Sequence, residues 1–170
     1  QQTPRHHRVG VMAPARQSLF FALLPPPELA QQVAQATAGW RATLGLSGRP
    51  MEPERLHLTL IWVAPEASPA TIETLRAVAE RVYMPPTPVR LDRLGRFERR
   101  AGRPAPVVLL SSNPSALPQL LALQQQLQEA VQAAGFPARV TPRYQPHMTL
   151  LHDRRPVPLQ SVGPYAWTAS

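Results

Sequence analysis

The tetrapeptide His-x-Thr-Leu occurs twice in this chain, as HLTL at His57 to Leu60 and as HMTL at His147 to Leu150. The chain holds 5 His in 170 residues, so two of them opening the same tetrapeptide is not an accident of composition. Each copy lies in an apolar run that reads as a strand, Arg55 to Val63 and a strand within Arg139 to Leu151. Alternate side chains of a strand share a face. His57 and Thr59 therefore point one way, and Leu56, Leu58 and Leu60 point the other. His147 and Thr149 point together, opposite Met148 and Leu150. Strict alternation puts Trp62 on the Leu60 face, in the core. Two such strands set alongside a cleft bring two imidazoles and two hydroxyls to one substrate atom.

That constellation suits in-line displacement at phosphorus. One neutral imidazole removes a proton from water and the other, protonated, supplies one to the leaving oxygen. An intrinsic pKa of about 6.5 allows both states near neutrality. Threonine hydroxyls and nearby arginines meet the charge that builds on the non-bridging oxygens. The scheme needs no metal and no cofactor. A metal set of His147, His152 and Asp153 is the alternative, although the chain has neither an HExxH nor another recognised zinc spacing. A Ser-His-Asp hydrolase is poorly supported without a G-x-S-x-G elbow.

The rest of the pattern is that of one α+β domain over residues 18–170. Ser18 to Leu24 reads as a first strand. Pro26 and Pro27 open a helix with apolar residues at Leu29, Val33, Ala36, Trp40 and Leu44, which Gly45 ends. Ser68 as N-cap and Pro69 start a second helix, carrying Ile72, Leu75, Val78 and Val82 on its inner face. Strands follow at Val89 to Leu94 and Val107 to Ser111, joined by the arginine-rich loop Arg96 to Arg103. A third helix begins near Pro114 or Ser115 and closes at Gly135, with Gln124, Gln125, Gln126 and Gln128 expected on a solvated face. A proline-rich tail is expected up to Ser170. Most of the 22 prolines fall at element boundaries, as in a compact, turn-rich domain.

Residues 1–17 show no apolar period and read as a disordered arm or a remnant of cloning, with Met12 a candidate start. His6 and His7 lie there and are discounted as catalytic. No apolar run approaches the roughly 18 residues of a membrane span, and Leu19 to Leu24 is too short for a signal-peptide core. A cytoplasmic protein, off the membrane and monomeric, is the expectation. The chain has no cysteine, which excludes disulfides and thiolate metal sites. Its net charge is +8, and all 18 basic residues are arginine. Such an excess attracts polyanions. Arg93, Arg96, Arg99, Arg100 and Arg103 make either a solvated loop or a patch that guides a nucleic acid.

At these residues the chain resembles the two-histidine (2H) phosphoesterase superfamily, in particular the RNA 2',3'-cyclic phosphodiesterase or 2'-5' RNA ligase-like family. The similarity runs from about Leu19 to Trp167. LFFALLPPPELA is similar to that family's opening strand and helix, ERLHLTLIWV to its first motif strand, RLGRF to its middle-strand turn, and GFPARVTPRYQPHMTLL to the approach to its second motif. The resemblance implies a bilobed fold in which two antiparallel sheets flank a central cleft, with helices on the outer faces. It implies metal-independent hydrolysis of an RNA-terminal 2',3'-cyclic phosphate to a 2'-phosphate, with RNA ends or cyclic nucleotides as substrates. His57 would be the acid, His147 the base, and Thr59 and Thr149 the phosphate ligands. The family often has an arginine five residues after its second histidine. This chain has His152 there, and His152 or Arg154 would take over substrate contacts. Ligation to a 2',5' linkage, the same chemistry in reverse, and RNA binding without turnover are the other functions the fold would allow.

Overall fold

The computed structural model describes residues 10–12, 19–63, 68–98, 102–137 and 143–170. Among these described residues, seven strands and three α-helices make an α+β architecture: β1 (Gly10–Met12), β2 (Leu19–Leu23), α1 (Pro27–Leu44), β3 (Leu58–Val63), α2 (Pro69–Arg81), β4 (Thr87–Arg96), β5 (Ala105–Leu110), α3 (Pro118–Ala133), β6 (His147–Asp153) and β7 (Gln160–Ala169). Helix boundaries follow local chemistry. Pro27 and Pro69 occupy first-turn positions, where a missing N–H costs nothing. The Ser68 hydroxyl accepts the Thr71 amide at 3.1 Å. Gly45 ends α1 at φ 64°, a left-handed conformation that favours glycine.

The strands form one sheet in the order β1-β2-β3-β6-β5-β4-β7, with every pair antiparallel. This corrects the expectation of two separate sheets. The first half, β1-β2-β3, and the second half, β6-β5-β4-β7, are joined through β3 and β6, and among the described residues only Leu58 and Met148 are register partners there. Extensive ladders within each half and a single register pair between β3 and β6 make a sheet that is continuous but narrowly joined at the motif strands.

The core is built almost entirely from aliphatic side chains. Leu19, Phe21, Leu23, Leu58, Leu60, Leu75, Leu120, Leu127, Met148 and Leu150 are all buried, and burying such a side chain stabilises the fold by about 1.5–3 kcal/mol. Leu120, Leu123, Leu127 and Val131 give α3 its inner stripe. Gln124 and Gln128 depart from expectation: both are buried, and the Gln124 amide donates to the Gln128 side-chain oxygen at 3.3 Å. Their i, i+4 spacing lets each satisfy part of the other's polarity. Gln125 and Gln126 are exposed, as expected.

Two further differences concern the ends. Gly10–Met12, inside the segment expected to be a disordered arm, pairs with β2. His6 and His7 lie outside the described residues. The proline-rich tail contains a ten-residue strand, β7, pairing with β4 from Thr87↔Ala169 to Leu94↔Gln160. Pro164 is tolerated because β7 lies at an edge of the sheet.

Candidate active site

The two motifs meet where the sheet halves join. Leu58 and Met148, each directly after its motif histidine, are opposed across β3 and β6. Leu58, Leu60, Met148 and Leu150 are buried, so each motif strand is anchored by its aliphatic side chains. His57, His147 and Thr149 are half-buried, and Thr59 is 8% exposed. Among the described residues, neither threonine hydroxyl has a hydrogen-bond partner.

Both strands carry a bulge at the motif leucine. Along β2, Ala22 partners Thr59 and Phe21 partners Ile61, which leaves Leu60 as the extra residue. Along β5, Val108 partners Thr149 and Val107 partners Leu151, which leaves Leu150 as the extra residue. A bulge moves later side chains to the other face. The residue five places beyond each histidine is thereby returned to the histidine's own side. Phe20 partners Trp62 and lies on the Ala22–Thr59 face, and Pro106 partners His152 on the Val108–Thr149 face. Trp62 is therefore not a core residue, as strict alternation had suggested. It is 47% exposed, with its ring centroid 4.6 Å from that of Phe20.

The histidines are held in matching ways. The Nδ1–H of His57 donates to the Arg55 carbonyl at 2.7 Å, and that of His147 to the Gln145 carbonyl at 2.8 Å, with the tautomer assigned from these acceptors. Each bond goes to the carbonyl two residues earlier, so each Nε2 is turned away from its own strand. Each ring also rests on a phenylalanine. Phe20 lies 5.0 Å from His57, and Phe97 meets His147 edge-on at 4.7 Å between centroids. Burial lowers the His57 pKa from its ordinary value; the Arg55 carbonyl opposes this and the Arg55 charge adds to it. Burial also lowers that of His147, opposed by the Gln145 carbonyl and reinforced by positive charge on His57.

The chain from residue 25 to residue 168 matches the family model described as the 2'-5' RNA ligase superfamily. It belongs to the 2'-5' RNA ligase superfamily. Among solved structures it is similar to one described as a phosphoesterase, with TM-score 0.72 and 29% identity over 90% of this chain and 83% of the other. Escherichia coli LigT complexed with 3'-AMP matches with TM-score 0.69 and 28% identity, over 89% of this chain and 83% of that one. TT0787 of Thermus thermophilus shares the fold at TM-score 0.64 and 24% identity, over 90% and 84% of the two chains. No curated protein matches the chain.

The other residues expected around the centre of this 2'-5' RNA ligase superfamily member divide sharply. His152 is exposed on the Thr149 face. Arg154 follows the end of β6 and is exposed, and no contact among the described residues ties its side chain to either histidine. Asp153 faces elsewhere. Its carboxylate accepts the amides of Ser47 and Gly48, each at 2.7 Å, and of Arg155 at 2.8 Å. The alternative metal set of His147, His152 and Asp153 therefore does not assemble, and no group of three or more His, Asp or Glu among the described residues is placed to hold a metal ion.

The arginine patch is also divided. Arg96 turns inward and donates to the carbonyls of Asp153 at 3.1 Å and Arg103 at 3.4 Å. Arg99 and Arg100 lie outside the described residues. A cavity of about 470 Å³, lined by Leu23, Leu56 and Trp167 among others, contains none of the motif side chains.

Proposed function

We propose that this protein hydrolyses the 2',3'-cyclic phosphate at an RNA end to a 2'-phosphate, with His57 as general acid and His147 as general base. The observation that carries the reading is the matched pair of histidines, each fixed through Nδ1 to the carbonyl two residues earlier beside an unengaged threonine hydroxyl.

In this reading the cyclic phosphate lies between the imidazoles. Water attacks phosphorus and gives its proton to the bare Nε2 of His147 as the new P–O bond forms. The P–O3' bond breaks, and the Nε2–H of His57 protonates the departing oxygen. The product is a 2'-phosphate with a free 3'-hydroxyl, and proton exchange with solvent restores both rings. Thr59 and Thr149 donate to the non-bridging oxygens, where they stabilise developing charge. The assignment of roles follows the family resemblance, and positive charge on His57 lowers the pKa of His147, so the pair favours one proton over two. Bound phosphate, being anionic, favours the protonated form of His57.

Trp62 supplies the base contact. Its indole is exposed and supported from behind by Phe20, which also touches His57. An aromatic face beside the phosphate site is a stacking surface for any base. The complex of LigT with 3'-AMP, a nucleotide, supports a ligand of this class.

The test is turnover of an RNA oligonucleotide ending in a 2',3'-cyclic phosphate, in excess EDTA, by wild type and His147→Ala side by side. Conversion to a 2'-phosphate by wild type alone is expected. Binding without turnover by wild type would make the protein an RNA-binding module, and equal turnover by the variant would remove His147 from the chemistry.

A further inference from the structure

The narrow junction between the sheet halves raises the question of what fixes the span between the histidines. One register pair, Leu58 with Met148, joins the strands themselves, and the loop before β3 is bonded to β6 by the Met51 amide on the Leu150 carbonyl and by the Ser47 and Gly48 amides on the Asp153 carboxylate. A further tie runs between the two motif segments. The Tyr144 hydroxyl, in the segment leading into β6, donates to the main-chain carbonyl of Thr59 on β3 at 2.8 Å. This bond crosses from one motif strand to the approach of the other and ends on the motif threonine. Tyr144 also packs against the aliphatic core.

The bond is continuous with the support of His147. Tyr144 precedes Gln145, whose carbonyl accepts His147 Nδ1–H and whose side-chain amide donates to the Ser111 carbonyl at 3.2 Å. Tyr144 is thus tied to β3, Gln145 to the residue just after β5, and His147 to Gln145. Burial pushes the Tyr144 phenol well above its ordinary value, so it remains a donor throughout the pH range in which imidazoles titrate.

We propose that Tyr144 is a positioning residue: by donating its phenol O–H to the Thr59 carbonyl, it sets the separation of the two His-x-Thr strands and hence the span between His57 and His147. This deepens the proposed reaction and rests on it for its catalytic consequence, but the geometric claim stands apart from turnover. Small errors in the span are expensive, because acid and base must reach opposite oxygens of one phosphorus at the same time.

The experiment uses Tyr144→Phe, which removes the hydroxyl and keeps the ring. On a 2',3'-cyclic nucleotide, kcat is expected to fall about tenfold, the scale of one net hydrogen bond, with KM within about twofold. Thermal unfolding should show a fold that is still cooperative. In parallel, imidazole titrations by NMR measure how far His57→Gln shifts the His147 pKa, first in wild type and then in the Tyr144→Phe background. The His57 effect on His147 should shrink in the latter as the rings move apart. Unchanged kcat together with an unchanged coupling would overturn the inference. So would a parallel loss of kcat and of folded protein with the coupling intact, which would make Tyr144 merely structural. An inactive wild type would sink the proposed hydrolysis instead, and the NMR coupling would still decide the role of Tyr144.

Discussion

Leu58 and Met148 face each other as the register pair that joins β3 to β6, so the two motif histidines directly precede the point where the sheet halves touch. Along β6 the buried anchors and the imidazole are alternate residues, and His57 directly precedes the anchors of β3. A change in the leucine or methionine is therefore felt at the site, and the site residues themselves carry little of the core. His57 and His147 are half-buried and hydrogen-bonded only locally.

From this separation of roles, His57→Ala and His147→Ala should each lower kcat by about 100-fold or more, the usual scale of general acid–base catalysis, while shifting the unfolding temperature by only a few degrees. Steady-state rates on a 2',3'-cyclic nucleotide beside a thermal melt measure both. A variant with near-normal turnover would exclude that histidine from the mechanism.

Much of this arrangement was legible in the sequence because it follows from local rules. The helix starts at Pro27 and Pro69, the stop at Gly45 and the pairing of His with Thr on one face all come from short-range chemistry. What alternation could not reveal was the bulge at each motif leucine, because a bulge depends on how a neighbouring strand is registered. That is why Trp62 was expected in the core, whereas its backbone partner is Phe20 on the Thr59 face. Similarly, the glutamines of α3 looked solvated because composition does not tell which of them meets a neighbour, and Gln124 and Gln128 fall on the buried side. Pro164 disguised β7, whose acceptance of a proline depends on its place at the edge of the sheet. The single junction between the halves is a tertiary fact with no signature in either motif.

The pH dependence of kcat/KM should be bell-shaped, with both limbs belonging to imidazoles and both lying below the ordinary histidine value. The proposed reaction requires His147 neutral and His57 protonated. Rates fall on the acid side as His147 gains a proton and on the alkaline side as His57 loses one. Burial lowers both pKa values, so the optimum of the free enzyme is displaced to the acid side of 6.5. A pH–rate series in constant ionic strength gives the answer, and a profile flat between pH 5 and 8 would count against two titrating histidines.

Asp153 should prove a structural carboxylate. Burial pushes its pKa up, and the amides of Arg155, Gly48, Ser47 and Arg154 outweigh that, leaving it below the ordinary aspartate value. The sign follows: the contribution is complete above the unfolded value, near 3.8, and is lost as pH falls through the lower folded value. Asp153→Ala strands several amides and should cost about 2–3 kcal/mol, or roughly 4–12 °C in melting temperature for a domain of this size. Gly48→Ala should be comparably harmful, because a Cβ there would collide with the His152 carbonyl. Melting curves at neutral pH test both, and a variant as stable as wild type would contradict the account.

Trp62 should govern the base and not the chemistry. Its exposed indole stands on Phe20 at 4.6 Å between centroids, and stacking one base on an aromatic face is worth about 1–3 kcal/mol. Trp62→Ala should therefore raise KM for a nucleoside 2',3'-cyclic phosphate by about 5- to 150-fold. For a ribose cyclic phosphate that lacks the base, the same substitution should change nothing, because the stacking partner is gone from both sides of the comparison. Trp62→Phe should fall in between on the nucleotide and match wild type on the base-free compound. Equal effects on both substrates would mean that Trp62 acts by holding Phe20 and His57 in place, and kcat would then fall along with affinity.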